Sequence, residues 1–396
     1  MMGVPLWLLI FPVLGLLVFV HELGHFATAK WFGIKVTEFG FGFPPRIYGV
    51  RFGETVYSIN WIPLGGFVRM TGEEDPTEPG SFAGKAVGVR CVVLAAGAFM
   101  NLMLPVVIFS ILFMLPHDEF VGAVTIGAVS PGSPAEEAGL RAGDTILAVN
   151  EERTNNHLDL IQTILARLGK ETELTVRRGP AIAGMGFSPE TMTIDKIRVV
   201  PRLNPPSQTV VETVTDPATE ISLTDARRAR PSLELGDKLQ QGSIGVSIFT
   251  ANPRPVRTSY PVWEAVPMAV ERIWNTLRIF KNVMERWFAG GPEPGLTGPV
   301  GIAQVTGEVA GVGVSPLFEL VAFLSINLAI INMLPIPALD GGRFLFVVIE
   351  WVRRGKRISP KREGLVHLVG FAAVIALILV MSYRDVVRIL GGESIF

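Results

Sequence analysis

Residues 1–25 read MMGVPLWLLIFPVLGLLVFVHELGH. The first twenty carry no charge, and ~20 mostly apolar residues are what a helix needs to cross a bilayer. The run lacks a basic start and a small-residue cleavage site, so it reads as a retained span rather than a removed signal peptide. His21-Glu22-Leu23-Gly24-His25 follows at once. Histidines four residues apart stand one above the other on one helix face. Both rings can then reach one zinc at ~2.0–2.1 Å, and Glu22 beside them can take a proton from a metal-bound water. Ionisable groups at membrane depth are costly, and three arriving together at the end of an uncharged run mark a functional site.

The composition extends this reading to the whole chain. Of 396 residues, 49% are apolar and 18% charged, against ~25% charged in an ordinary globular protein. A net charge of -1 offers no basic surplus for nucleic acid. The single cysteine, Cys91, excludes an internal disulfide framework and a cysteine-rich metal knuckle. Three more apolar blocks, at 91–115, 320–339 and 364–383, are long enough to span. The fold expected is a polytopic α-helical membrane protein with about four transmembrane helices.

Orientation follows from the cations. Arg343, Arg353, Arg354, Lys356, Arg357, Lys361 and Arg362 fall between the third and fourth blocks, and short loops so charged stay cytoplasmic. The loop after the first span shares that side by parity. The long segment from about 116 to 319 and both termini then lie outside.

In the outer segment, residues 120–250 show short β-rich runs separated by turns. Ser133 can cap a short helix that Gly139 ends. Leu158, Ile161, Ile164, Leu165 and Leu168 mark the apolar face of a longer one. Runs at 124–129, 143–150, 173–178 and 192–200 read as strands. The order of elements, and AGLRAGDTILAVN at 138–150 above all, resembles a PDZ domain, which binds extended chain ends by strand addition. A polar insert at about 203–240 precedes Gly242-Ser-Ile-Gly-Val-Ser247, a candidate peptide-binding strand that the sequence leaves unassigned. Within a linking region at 260–318, residues 263–288 read as an amphipathic helix whose Trp263, Trp274 and Trp287 suit a membrane interface; core packing is an equal alternative. Residues 319–396 form the last membrane region.

The first membrane region, 1–115, contains a β-rich stretch at about 35–70, with strands at 47–50 and 55–59 joined across Arg51-Phe-Gly-Glu54. An exposed edge there would let an unwound substrate helix dock as an added strand, replacing backbone hydrogen bonds that cost several kcal/mol each when lost in a bilayer.

A catalytic zinc needs a third protein ligand. His117 and His157 lie outside, and His367 begins the fourth span without a motif. Asp340, ending the third apolar run in Asn332-Met-Leu-Pro-Ile-Pro-Ala-Leu-Asp-Gly-Gly342, lies on the same side as HELGH. Pro335 and Pro337 break the helix before it.

HELGH in a first span, a PDZ-like insert and NMLPIPALDGG in a later span together resemble the site-2 protease family of intramembrane zinc metalloproteases, in particular the regulator of sigma-E protease group. The resemblance covers nearly the whole chain. It implies that His21, His25 and Asp340 bind Zn2+, that Glu22 is the general base, and that Asn332 works near the substrate or oxyanion. Gly65-Gly66-Phe67, in the β-rich loop, and Gly298-Pro-Val-Gly-Ile302 are further family-like stretches. The substrates implied are single-span membrane proteins in the lipid bilayer, such as anti-sigma factors or remnant signal peptides, with the PDZ-like module as a size filter or reader of carboxyl ends. One departure is that a single PDZ-like domain is legible where the enterobacterial pattern has two. A membrane-anchored PDZ adaptor and a metal-ion transporter are the alternative classes. The adaptor would not need Glu22, and the transporter would show permeation.

Overall fold

The computed structural model describes residues 5–73, 75–178, 193–216, 219–229, 233–291 and 297–391. The chain divides into two compact units, one of residues 1–114, 261–273 and 295–396, the other of 115–260 and 274–294.

In the first unit, α1 (Ile10–Trp31) continues eleven residues past Val20, where the uncharged run ends, because Glu22 to Ala29 hold no helix breaker except Gly24. HELGH therefore sits inside a span, Leu6–Trp31, rather than at its end. The first four residues of the expected span lie outside the described residues. A left-handed Gly33 (φ 64°) turns the chain into β1 (Val36–Phe52) and β2 (Thr55–Met70), an antiparallel hairpin closed at Phe52–Thr55. Its turn is where the sequence puts it, but the strands are far longer. Inside, Ser58 Oγ and Arg46 Nη2 donate to Glu38 Oε1 at 2.8 and 2.6 Å. Ile47, Tyr48, Phe52 and Trp61 are exposed.

Helix α2 (Val87–Met114) packs against α1. The apolar block expected at 320–339 is instead the helix Val314–Met333, α8 in chain order. Pro335 and Pro337 lack the N–H a helix needs and push Leu334 to extended backbone, so α8 stops six residues early. Asp340 does not end that helix; it opens α9 (Asp340–Val352), inside what reads from sequence as a loop. The last block is α10 (Pro360–Leu390), begun by Pro360 at the first helical position. Most of its apolar side chains, among them Leu368, Val369, Phe371, Leu377 and Leu379, are exposed, a state that water would not tolerate but hydrocarbon would. Four described helices are long and apolar enough to cross a membrane: Leu6–Trp31, Val87–Met114, Val314–Met333 and Lys361–Leu390.

Helix α7 (Pro299–Val312) explains the Gly298-Pro-Val-Gly stretch. Asp385 of α10 accepts a hydrogen bond from the Gly301 N–H at 2.8 Å, filling the N-terminal vacancy that Gly298 cannot cap. A Cβ on Gly298 would lie 2.7 Å from that carboxylate.

The second unit holds a five-strand path ordered β11 (Val246–Thr258), β3 (His117–Val129), β4 (Thr145–Val149), β6 (Thr172–Arg177), β7 (Ile194–Val199), with β5 (Glu152–Arg153) paired to β4. Ser133 caps α3 (Pro134–Glu137), Asn156 caps α4 (His157–Leu165), and Gly139 is left-handed at φ 77°. Val124, Ile126, Ile146, Leu160, Leu174 and Val176 fill the core. Met192, expected in a strand, lies outside the described residues. The polar insert carries a smaller sheet of β8 (Ser207–Val211), β9 (Glu220–Ser222) and β10 (Lys238–Gln240) with α5 (Leu223–Ala229), around Val210, Ala226 and Leu233. Gly242 to Ser247 leads into β11, the edge strand that pairs with β3. The amphipathic helix is α6 (Val262–Phe288), with Trp263, Val266, Val270 and Trp274 exposed along one stripe.

Arg90 of α2, itself 5% exposed, donates to Glu350 Oε1 of α9 at 2.7 Å, and Arg357 Nε donates to the same oxygen at 3.2 Å. Burial alone would raise the Glu350 carboxyl, but the two guanidinium groups hold it below the usual range. A group lowered on folding stabilises fully above its ordinary pKa of 4.5, and that contribution decays as pH falls toward the lowered value. Glu350→Ala strands a buried cation and should cost about 3–5 kcal/mol, read as a lower midpoint of thermal unfolding in detergent. The deficit relative to the parent should shrink as the pH is taken below 4.5.

Candidate functional site

On α1 the four-residue spacing brings the His21 and His25 rings together, and α9 brings Asp340 to them. His21 Nε2 lies 2.8 Å, and His25 Nε2 3.1 Å, from Asp340 Oδ2. The two Nε2 atoms are 3.2 Å apart. Among the described residues, these three form the one group of His, Cys, Asp or Glu side chains whose donor atoms all lie within 4.8 Å of one another.

The donor chemistry fits a cation. His25 Nδ1 sits 2.8 Å from the Val93 carbonyl, which can only accept. The neutral ring therefore has its hydrogen on Nδ1 and aims the Nε2 lone pair at Asp340 and His21. Lone pairs facing one another at about 3 Å repel unless positive charge lies between them. Tetrahedral zinc with bonds of ~2.0–2.1 Å spaces its ligand atoms by roughly 3.3–3.4 Å, close to the spacing found.

Two helices make this approach possible. A Cβ on Gly24 would fall 2.7 Å from the Ala96 carbonyl carbon and 2.8 Å from Met100 Cγ. One on Gly97 would lie 2.6 Å from His21 Cε1 and 2.7 Å from His21 Nε2, and would overlap His25 Nε2. Gly97 is thus the floor on which both rings rest. The sequence reading does not find it, although the small-residue run Ala95-Ala-Gly-Ala98 signals a close helix contact.

Asp340 is delivered by an irregular segment. Gly341 and Gly342 pass against the Leu334 and Ile336 carbonyls, where a Cβ would overlap. Ala338 holds a left-handed backbone (φ 82°) and donates its N–H to His367 Nδ1 at 2.9 Å. His367 thereby holds the loop that leads to Asp340.

The other expected residues are placed as follows. Glu22 is half-buried beside the rings, and its carboxylate accepts from the Val68 N–H of β2. A Cβ on Gly66 would lie 3.4 Å from Glu22 Cγ, so the hairpin passes directly against that side chain. Gly65 (φ 104°) faces Phe43 and Val18, while the Phe67 ring lies over Gly40, within the hairpin. Asn332, near the end of α8, has Nδ2 3.4 Å from both ring nitrogens of His21.

Comparison with known proteins finds similarity over nearly the whole chain. The family model described as Peptidase family M50 matches residues 9–377. The chain is 31% identical over 376 residues to a Clostridium acetobutylicum protein provisionally named a zinc metalloprotease, covering 94% of this chain and 95% of the relative. It is 29% identical over 459 residues to zinc metalloprotease RasP of Geobacillus kaustophilus, at 94% and 96% coverage. A protein of the same name from Oceanobacillus iheyensis is 28% identical over 461 residues, at 95% and 97%.

Gly97→Ala should displace both imidazoles and lower the metal bound per purified chain at least tenfold, measured by elemental analysis. Gly88→Ala, on the same helix with nothing within 4 Å of its added methyl, should leave metal content unchanged.

Proposed function

The chain belongs to peptidase family M50, the site-2 proteases, and on that premise we propose that it hydrolyses peptide bonds within or near the transmembrane segments of single-span membrane proteins. It is a zinc metalloprotease with four apolar helices fit to span a membrane. The finer reading rests on one observation: two imidazoles and a carboxylate from separate helices converge beside a glutamate that also touches a β-strand.

In this reading His21, His25 and Asp340 hold Zn2+ and Glu22 is the general base. When bound, zinc supplies a Lewis acid and a water acidified to a pKa of ~7. The Glu22 carboxylate takes one proton from the attacking water as its oxygen bonds to the scissile carbonyl carbon. It passes that proton to the amide nitrogen as the C–N bond breaks, so the carboxylate is restored. Asn332 is placed to donate from Nδ2 to the carbonyl oxygen. The substrate pairs, unwound, along β2 near Gly65, Gly66 and Phe67. This supplies hydrogen bonds to a backbone that hydrocarbon would leave bare.

The second unit acts as a PDZ-like module outside the membrane. The order of strands and caps supports that reading, as does β11 at the sheet edge beside α4. It admits or reads carboxyl ends of substrates already trimmed outside. The protein is multi-pass in the cell's inner membrane, with both termini outside and the site nearer the cytoplasm, as the arginine-rich connection around α9 suggests. Anti-sigma factors and remnant signal peptides are the substrate classes.

The purified chain in liposomes with a single-span substrate tests this. Glu22→Gln should keep its metal while cleavage falls by about 10²–10⁴-fold. Asp340→Ala should lose both metal and cleavage. Undiminished cleavage by Glu22→Gln would reject the mechanism.

A further inference from the structure

We propose that Asn101 of α2 is the positioning residue for His21: its side-chain oxygen accepts the His21 Nδ1–H and so commits Nε2 to the metal. The inference rests on the reading of His21 as a ligand and goes beyond the residues which that reading assigns.

Three observations carry it. Asn101 is completely buried, one turn after Gly97 on the face of α2 that meets α1. Its Nδ2 lies 3.3 Å from His21 Nδ1. Its Oδ1 is buried with no hydrogen-bond partner. A neutral His21 that offers the Nε2 lone pair must carry its hydrogen on Nδ1. The amide would then set a donor against a donor while its acceptor stands idle. Turning the amide by 180° about its last side-chain bond exchanges two groups of nearly equal size. The idle oxygen then meets the ring N–H. Buried acceptors are seldom left unmade, and this turn satisfies one with the donor that ligation itself requires.

His25 supports the same logic. Its Nδ1–H is taken by the Val93 carbonyl of the same helix, so α2 would supply one acceptor behind each imidazole. Such partners of metal-bound histidines fix the ring's tautomer and orientation. Asn332 cannot serve in place of Asn101, because it stands 3.4 Å from both His21 nitrogens and favours neither. Asn101 is also held from behind. Ser325 of α8 donates to its backbone carbonyl at 2.7 Å, which pins this turn of α2.

The test is zinc affinity of the full-length protein in detergent, by competition with a chelator of known strength. Asn101→Leu keeps the volume and removes the acceptor, and should weaken zinc binding about 10–100-fold. Asn101→Asp keeps an acceptor and should bind within a few-fold of the parent. A packing role alone predicts the reverse, with leucine tolerated and a buried carboxylate harmful. Parental affinity in Asn101→Leu, or equal loss in both variants, overturns the inference. Should the leucine variant fail to fold, Asn101→Ala takes its place with the same two outcomes. His21→Ala separates the two levels. If it binds zinc like the parent, the ligand assignment itself fails. If it loses zinc while Asn101→Leu does not, only the role of Asn101 fails.

Discussion

Everything in the membrane unit depends on how closely α1 and α2 approach. Two helices with ordinary side chains at their contact stand 8–10 Å apart. Gly24 on one and Gly97 on the other remove the atoms that would hold these two away, leaving the α1 backbone against Ala96 and the histidine rings against Gly97. Lipid tails are as apolar as leucine, so burying apolar surface gives little drive toward this contact. What holds it is close packing plus polar links that hydrocarbon cannot replace, among them the His25–Val93 bond. Small residues therefore do two tasks at one place. They let the helices touch, and they give the imidazoles room to converge edge to face on a common point.

The third donor arrives by different means. Asp340 could not come from a regular helix crossing at that depth, since α8 is ended by prolines before reaching it. The chain instead doubles back through 334–339 and restarts as α9. Gly341 and Gly342 allow that first turn to lie under the Leu334 and Ile336 carbonyls. Ala338 accepts a left-handed backbone, a cost of about 1–3 kcal/mol for a residue with a side chain, and His367 offsets part of it by taking the Ala338 N–H. Irregular backbone in a membrane protein is tolerated where protein covers it or water reaches it. Here α9 and α10 provide the cover.

What the sequence made legible was local. HELGH is readable because i and i+4 define a face within one helix. The hairpin turn is readable because its residues have turn chemistry, and α6 because its apolar stripe repeats at helical spacing. The first span's end was not, since charge ended the uncharged run at His21 while the helix had no reason to stop. Asp340 reads from sequence as the end of one helix, whereas it starts the next. A helix of thirteen residues rich in arginine neighbours looks like a loop when only hydropathy is read. Gly97, Val93 and Asn101 were invisible for a deeper reason. Nothing in their own neighbourhood in the chain names α1 as their partner, and their chemistry exists only once two helices more than sixty residues apart have met.

Burial around the site is uneven, and the unevenness constrains how it works. The two histidine side chains are each 7% exposed, against 22% for Asp340. α2 seals the rings from behind, while the side carrying Glu22, Asp340 and Asn332 is partly open. Hydrolysis consumes water, so a site sealed on every side could not turn over; one open on every side would let water compete for each lone pair that binds a metal. The observed asymmetry meets both demands. β2 runs past the same group, with Gly66 against Glu22. On the proposed assignment, an extended chain pairing with that strand would pass its backbone across the glutamate. The unwinding of the substrate and the placing of its carbonyl are, on that assignment, therefore one event, governed by the same glycine-lined edge.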